Sequence, residues 1–102
     1  MTISLQVLYP ITDDSKFDYD YYVNSHFAIV GDNWGEFVES VTASKGIAGG
    51  PDAPPEFHAI ATIMFKDMDA LHAAMAVAGP VLADVENFTN SPPQMLIGEV
   101  LT

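Results

Sequence analysis

The stretch Phe57-His58-Ala59-Ile60-Ala61-Thr62-Ile63-Met64-Phe65 decides the fold of this chain. It is rich in β-branched and aromatic side chains and contains neither glycine nor proline, a composition that predicts a well-covered β-strand. Apolar residues occupy both alternating sets of positions, since Met64 follows Ile63. Both faces of the strand therefore need a covering layer.

Three other segments have the period of a strand. Ile3 to Tyr9 mostly alternates apolar with polar residues, and Glu36 to Ser44 does so apart from Val38 and Glu39, which fall out of phase. Met95 to Leu101 is the fourth predicted strand. Prolines concentrate in three stretches that we interpret as loops, namely Pro10–Lys16, Gly46–Pro55 and Asn87–Pro93.

The first predicted helix begins after Asp18, whose carboxylate is a good N-cap, and Phe17 and Tyr22 have the spacing of a hydrophobic staple. Gly31 is predicted to end this helix. An apolar stripe with helical spacing marks the face that turns toward the sheet, and it consists of Tyr19, Tyr22, Val23, His26 and Val30.

The second predicted helix begins after Asp67 and extends to Gly79-Pro80, with a short continuation over Val81 to Asn87. The element order is therefore β-α-β-β-α-β. This order predicts a ferredoxin-like α+β fold, in which a four-stranded antiparallel sheet carries both helices on one face. We expect residues 1–102 to form a single domain.

Two helices cover only one face of such a sheet. Apolar neighbours within the strands, such as Val7 with Leu8 and Leu96 with Ile97, predict more apolar area on the open face than a monomer exposes. A two-fold axis that packs two sheets face to face removes this problem. The sequence therefore predicts a homodimer that forms a dimeric α+β barrel.

The composition excludes several classes of function. Three lysines and no arginine stand against 14 Asp and Glu residues, for a formal net charge of −11, so binding to nucleic acid or to a membrane surface is not expected. The absence of cysteine excludes disulfides, thiolate chemistry and iron–sulfur ligation. No apolar run reaches the roughly 20 residues that cross a bilayer, and no signal-peptide pattern is present, so a cytoplasmic protein is expected.

His26 is the strongest candidate for chemistry. It lies in the middle of the apolar stripe and therefore points toward the sheet, where an imidazole can exchange a proton near neutral pH. Tyr22 lies one turn earlier on the same face and can share a substrate oxygen with it. The structural alternative is a core histidine that is hydrogen-bonded to the backbone or to Tyr22.

Other candidates carry weaker signals. His58 and His72 have no histidine three or four residues away, so no metal site is expected. Trp34 either stacks on a planar ligand at the lip of a loop or fills an interface. Glu39 and Glu99 either face the barrel interior as acid–base groups or only contribute surface charge.

The segment Phe17-Asp18-Tyr19-Asp20-Tyr21-Tyr22-Val23-Asn24-Ser25-His26 resembles the Phe-Asp-x-x-Tyr-Tyr-x-x-x-His signature of the EthD family. The likeness extends over nearly the whole chain, because other stretches also resemble that family, namely Val7–Pro10, Trp34-Gly35, Phe65–Leu71 and Ala83–Asn90. One departure is Ala28, which stands where the family commonly has a proline two residues after the histidine.

The resemblance implies a dimeric α+β barrel of ferredoxin-like subunits. Proteins of this fold include monooxygenases that modify polyketide rings, muconolactone isomerases, small decarboxylases and haem-binding enzymes, so no single reaction is implied. The alternatives to an enzyme are a non-catalytic ligand-binding accessory protein of an oxygenase or degradation pathway, and a haem-associated barrel protein with His26 or another histidine as axial ligand.

We expect an apolar pocket between the sheet and the first helix that binds a small apolar or aromatic carbonyl or phenol compound without a cofactor. His26 would be the general acid or base, and Tyr22 would stabilise an enolate oxygen during isomerisation, decarboxylation or cyclisation. The absence of arginine and the negative charge favour neutral or cationic ligands. The residues expected to contact the substrate are Trp34, Thr62, Met64 and Tyr19.

Overall fold

A computed structural model describes residues 1–102 and contains a single four-stranded sheet. The strands are β1 Ile3–Pro10, β2 Val38–Lys45, β3 Phe57–Phe65 and β4 Gln94–Glu99. All neighbouring pairs are antiparallel and the strand order is β2-β3-β1-β4, as in a ferredoxin-like fold. The predicted α+β class and βαββαβ order are therefore confirmed.

The connection between β1 and β2 is one helical run with a wide turn in its middle. It consists of α1 Tyr19–Tyr21, a π-helical turn Tyr22–His26 and α2 Phe27–Trp34. The Asp18 carboxylate accepts a hydrogen bond from the Tyr21 N–H at 3.0 Å, and the Phe17 ring packs edge-on against Tyr22 with 4.9 Å between centroids. The predicted N-cap and hydrophobic staple are thus both present.

Gly31 does not end this helix, contrary to the sequence prediction. The helix α2 continues to Trp34, and the Gly35 N–H donates to the Gly31 carbonyl at 3.0 Å. Trp34 is buried and packs edge-on against Phe65, with 6.4 Å between ring centroids. This tertiary contact outweighs the low helix propensity of glycine and holds the last turn.

Three helical segments connect β3 to β4, namely α3 Met68–Ala76, α4 Gly79–Ala83 and a 3₁₀ turn Asp84–Asn87. Asp67 caps α3 by accepting a hydrogen bond from the Ala70 N–H at 2.9 Å, as predicted. Pro80 lies in the first turn of α4, where its missing N–H costs little, so Gly79-Pro80 begins a helix here. No single helix is long and apolar enough to span a membrane; α3 and the run Gly79–Asn87 meet the requirement only as a pair, bent by 63°.

In the two central strands, β1 and β3, alternate side chains point to a buried face and to an open face of the sheet. The core lies between the buried face and the helices, and its largest fully buried side chains are Leu5, Tyr9, Trp34, Phe65 and Leu71. In β3, Ala61 and Ile63 turn toward the helices, whereas Thr62 and Met64 turn away from them. A strand places successive side chains on opposite faces, so this division follows directly from the register.

The open face is of mixed polarity, whereas the sequence predicts more apolar area there than a monomer exposes. Leu8 and Ile60 pair across β1 and β3 there, but Gln6 and Thr62 form the next pair on the same face. The Gln6 side-chain amide donates to the Thr62 hydroxyl at 3.5 Å. Polar residues thus interrupt the apolar area that the sequence predicts for this face.

The edge strands are the least covered part of the sheet. Every residue of β2 after Val38 is exposed, and in β4 the side chains Met95, Leu96 and Ile97 are between 46 and 59 % exposed. The β2 register shifts between Val38 and Ser40, which explains why Glu39 falls out of phase in the sequence. Large apolar side chains on both faces of an edge strand form a surface suited to a partner.

Candidate functional site

His26 is buried between the first helical run and the sheet, with 4 % of its surface exposed. Its Nδ1 lies 2.9 Å from Oδ2 of Asp84, which is also buried. A carboxylate only accepts hydrogen bonds, so Nδ1 carries a proton and donates it to Asp84. Nε2 is therefore the ring nitrogen left to exchange a proton with a ligand.

Three donors converge on the carboxylate of Asp84. In addition to His26, the Tyr21 hydroxyl donates to Oδ1 at 2.7 Å and the Asn87 side-chain amide donates to the same oxygen at 2.9 Å. Burial alone would raise the pKa of Asp84, but the hydrogen bonds from Asn87, Tyr21 and His26 outweigh it and leave this pKa below its ordinary value. Asp84 is consequently ionised at neutral pH and fixes the orientation of the His26 ring.

The π-helical turn positions the rings of Tyr22 and His26. The Phe27 N–H donates to the Tyr22 carbonyl five residues earlier, which widens the helix at this turn. The two rings are nearly parallel, with an interplanar angle of 13° and 5.8 Å between centroids. Single π turns are frequent at functional sites because they change the direction of side chains within a helix.

Two buried polar atoms near His26 have no hydrogen-bond partner, the hydroxyl of Tyr22 and Nε1 of Trp34. Both residues are 2 % exposed. An unpaired buried donor costs about 1–3 kcal/mol, so such atoms call for a ligand or a water. Burial, and to a smaller extent the neighbouring Tyr9, raises the pKa of Tyr22, which keeps its hydroxyl protonated and able to donate.

Tyr22, His26 and Trp34 line a narrow cavity between the helix and the sheet. Its volume is about 30 Å³, and 12 of its 14 lining residues are apolar or aromatic. A space of this size holds about one or two water molecules. The arrangement is thus an imidazole held by a carboxylate, with two unpartnered donors, in mostly apolar surroundings, which strengthen electrostatic interactions.

The structure brings together only part of the predicted site. Trp34 is the last residue of α2 and is buried, so it does not stand at the lip of a loop. Tyr19 lies outside the cavity, where its hydroxyl donates to the His58 carbonyl at 2.9 Å and Lys45 Nζ lies 4.5 Å from its ring centre. Thr62 and Met64 turn toward the open face of the sheet, so the prediction that they line a pocket under the first helix is wrong.

Asp84 is the residue that sequence reasoning missed. It lies 58 positions from His26, so no spacing rule connects the two side chains. One available signal was an acidic residue between Val81 and Val85, on the apolar side of the predicted helical continuation. Tyr21 was missed as well, because it lies beside the apolar stripe and its contact with Asp84 is tertiary.

The other titratable candidates lie elsewhere. His58 Nε2 is 2.7 Å from the Ser15 hydroxyl, which donates its proton to the Thr12 carbonyl, and His72 is exposed. Glu39 and Glu99 are exposed and contribute surface charge. No group of three or more His, Cys, Asp or Glu residues is close enough to hold a metal ion.

The family model for the EthD domain matches residues 12–92. An EthD-like protein from Ralstonia eutropha JMP134 is 33 % identical to this chain, and the two structures superpose with a TM-score of 0.89. That match covers 99 % of this chain and 93 % of the Ralstonia chain. No curated protein is significantly similar in sequence.

Two more distant structures share the fold. The cofactor-independent oxygenase SnoaB from Streptomyces nogalater is 11 % identical, with a TM-score of 0.67 over 99 % of this chain and 94 % of that one. A dimeric protein of unknown function and ferredoxin-like fold from Bacteroides fragilis NCTC 9343 is 13 % identical, with a TM-score of 0.55 over 97 and 96 % of the two chains. At these identities the likeness shows the fold alone.

Proposed function

The chain belongs to the EthD domain family, and from this premise we propose that it is a cofactor-free enzyme that moves a proton on a small, neutral, mostly apolar carbonyl or phenol compound. The observation that carries the proposal is the buried His26–Asp84 pair, which lies beside the unpartnered hydroxyl of Tyr22. A related fold supports oxygen chemistry without a cofactor in SnoaB, which is consistent with this proposal.

His26 is the acid–base group of the proposed mechanism. Its Nε2 takes a proton from a substrate hydroxyl or from a carbon next to a carbonyl, and Asp84 stabilises the imidazolium that results. Return of that proton to another atom of the same substrate completes an isomerisation.

Tyr22 stabilises the oxygen that gains negative charge. Its hydroxyl is buried, protonated and free of protein partners, so it can donate to a developing enolate or phenolate. Loss of one such donor typically lowers kcat by about 10²–10³-fold. Trp34 Nε1 is a second free donor along the same cavity and orients an acceptor atom of the substrate.

Charge selects a neutral ligand. The chain has no arginine for a bidentate carboxylate contact, and its net charge of −11 repels anions. Asp84 adds a carboxylate directly behind His26. The same shortage of cations disfavours haem, whose propionates are anionic, and the proposal therefore includes no cofactor.

We further propose that the enzyme is a homodimer. The apolar side chains Met95, Leu96 and Ile97 are exposed on both faces of the edge strand β4, and a second subunit would cover them. A protein of the same fold from Bacteroides fragilis is dimeric. Sedimentation at micromolar concentration should give twice the chain mass of 11.0 kDa, and a species of 11.0 kDa alone would contradict this assembly.

The test of the enzymatic proposal is exchange of the acidic carbon-bound protons of 2-tetralone, a neutral aromatic ketone, in D₂O, followed by NMR. Wild type should accelerate exchange, His26→Ala should reduce the rate by about 10²-fold or more, and Asp84→Asn should reduce it less. His72→Ala is the matched control, because His72 is exposed and remote from the cavity. Undiminished exchange in His26→Ala would contradict the assignment of the base.

The same samples separate the alternatives. Binding of 2-tetralone without exchange by wild type would favour a non-catalytic ligand-binding protein. A Soret absorption band that is present in the purified wild type and lost in His26→Ala would favour the haem alternative. If wild type neither binds 2-tetralone nor accelerates its proton exchange, the proposed substrate class has no support.

A further inference from the structure

A second concavity, much larger and open to solvent, lies beside the His26 cavity. We call it the Gly31 groove. It is about 440 Å³ in volume and lies between the first helical run and β2, with Gly31 at its edge and mostly apolar walls. Its apolar side chains are Val23, Phe27, Val30, Val38, Val41 and Ala43. Its size falls within the range of small-molecule pockets.

The Gly31 groove and the His26 cavity share two side chains. Phe27 and Val30 line both spaces, so together they form the wall between them. Phe27 is only half-buried, and its ring rests edge-on against Tyr22 and His26 with 4.9 and 5.8 Å between centroids. Phe27 is therefore the more accessible of the two side chains that separate the spaces.

Neither space can hold the proposed ligand alone. The His26 cavity has the polar atoms, but its volume of about 30 Å³ accommodates water and no organic ring. The Gly31 groove has the room, but no polar side chain lines it. Together they have the usual composition of a ligand site, which is a large apolar volume with a few polar atoms at one end.

Gly31 is an unusual residue for its position. It lies inside α2 with a φ that any residue adopts, and a Cβ added to it would meet no atom within 4 Å. Glycine is disfavoured inside a helix, and nothing within the subunit requires it here. A ligand that approaches the helix backbone at this point would require it.

We propose that the Gly31 groove binds the apolar body of the substrate, whose oxygen reaches Tyr22 and His26 when Phe27 moves aside, and that Gly31 determines how large this body can be. The inference rests on the proposed function and specifies its substrate class further. The ligand is an elongated neutral phenol or ketone with an alkyl chain or a second ring, rather than a single small ring.

The probes are phenol and the 4-alkylphenols from 4-ethylphenol to 4-hexylphenol, measured by calorimetry against the full-length protein. Each methylene that enters an apolar groove should tighten binding by about fourfold until the groove is full. In Gly31→Leu the added side chain fills the groove, so this dependence on chain length should disappear.

Ala28→Leu is the matched control, because Ala28 is exposed on the same helix and does not line the groove. It should keep the full dependence on chain length. Gly31→Leu should melt at or above the temperature of wild type, since it replaces a helix-interior glycine at which an added Cβ meets no atom within 4 Å. A dependence on chain length that persists in Gly31→Leu, or that is absent from wild type, would overturn the proposal.

Failure of the proposed function would look different. If the proposed function is wrong, His26→Ala leaves the rate of proton exchange unchanged. The dependence of binding on alkyl chain length tests only the groove and does not depend on that rate. A groove that instead contacts a second copy of the chain would be revealed by sedimentation, since Gly31→Leu would dissociate the dimer without altering the chain-length dependence. That result would also overturn the assignment of the groove to substrate.

Discussion

Replacement of Asp84 by alanine should destabilise the protein by about 3 kcal/mol. Asp84 accepts hydrogen bonds from His26, Tyr21 and Asn87. His26 is only 4 % exposed, so its Nδ1–H would stay buried without a partner, at a cost of about 1–3 kcal/mol. Tyr21 and Asn87 are more accessible and can bond to water instead, so each contributes about 0.5 kcal/mol.

The measurement is urea unfolding at one fixed protein concentration, with Asp84→Asn as the conservative control. Asparagine keeps an acceptor for Nδ1–H but removes the charge, so its cost should be about 1–2 kcal/mol. At about 4–8 °C per kcal/mol, the alanine variant should melt about 12–24 °C below wild type. A loss under about 1 kcal/mol in Asp84→Ala, with an unchanged m-value, would refute the view that this carboxylate holds the site together.

The pH dependence of unfolding tests the stabilising role of Asp84 independently. The pKa of Asp84 is lower in the folded protein than its ordinary value. The contribution of Asp84 to the free energy of unfolding is therefore complete at neutral pH. It is lost as the pH falls through about 4 and below, because the unfolded chain takes up the proton first. Asp84→Asn should flatten this part of the acid-unfolding curve, and an unchanged curve would contradict the assignment.

Three further outcomes are expected. Burial raises the pKa of Tyr9 and of Tyr22, so above about pH 10 these hydroxyls ionise only in the unfolded chain. The free energy of unfolding should therefore fall by about 1.4 kcal/mol per pH unit for each tyrosine. In urea unfolding at alkaline pH, Tyr22→Phe should remove the contribution of Tyr22 to this slope. Asp67→Ala should cost about 1 kcal/mol in urea unfolding through loss of the α3 N-cap, and full stability would exclude the capping role. Leu5→Ala, at a fully buried position, should cost about 2–5 kcal/mol, and a smaller loss would indicate that the core closes around the cavity.

The candidate site depends on the docking of two helical runs. His26 comes from the π turn after β1, and Asp84 comes from the 3₁₀ turn before β4. Phe88 follows that turn and packs against His26 with 4.6 Å between ring centroids. Any opening of the second run would therefore separate the imidazole from its carboxylate, so the proposed activity and local stability should be lost together.

Much of the fold was predictable because its signals are local. The alternation in β1, the β-branched and aromatic composition of β3, the caps at Asp18 and Asp67, and the staple of Phe17 on Tyr22 each involve residues a few positions apart. The end of the first helix was not predictable in this way, because Gly31 is a weak stop signal and the burial of Trp34 against Phe65 overrides it. That contact joins residues that are distant in sequence.

The candidate site likewise has a part that the sequence predicts and a part that it does not. The apolar stripe by itself places His26 and Tyr22 on the buried side of a helix, since helical spacing assigns side chains to faces. The face to which Thr62 and Met64 turn depends on the strand register, and Asp84 reaches His26 only after two helical runs have docked on one sheet. The amino-acid sequence alone thus determined the elements and their order, through hydrophobic period and capping. Tertiary structure decided the partner of the imidazole and the limits of the cavity, because hydrogen bonds and packing between residues 58 positions apart leave no periodic trace along the chain.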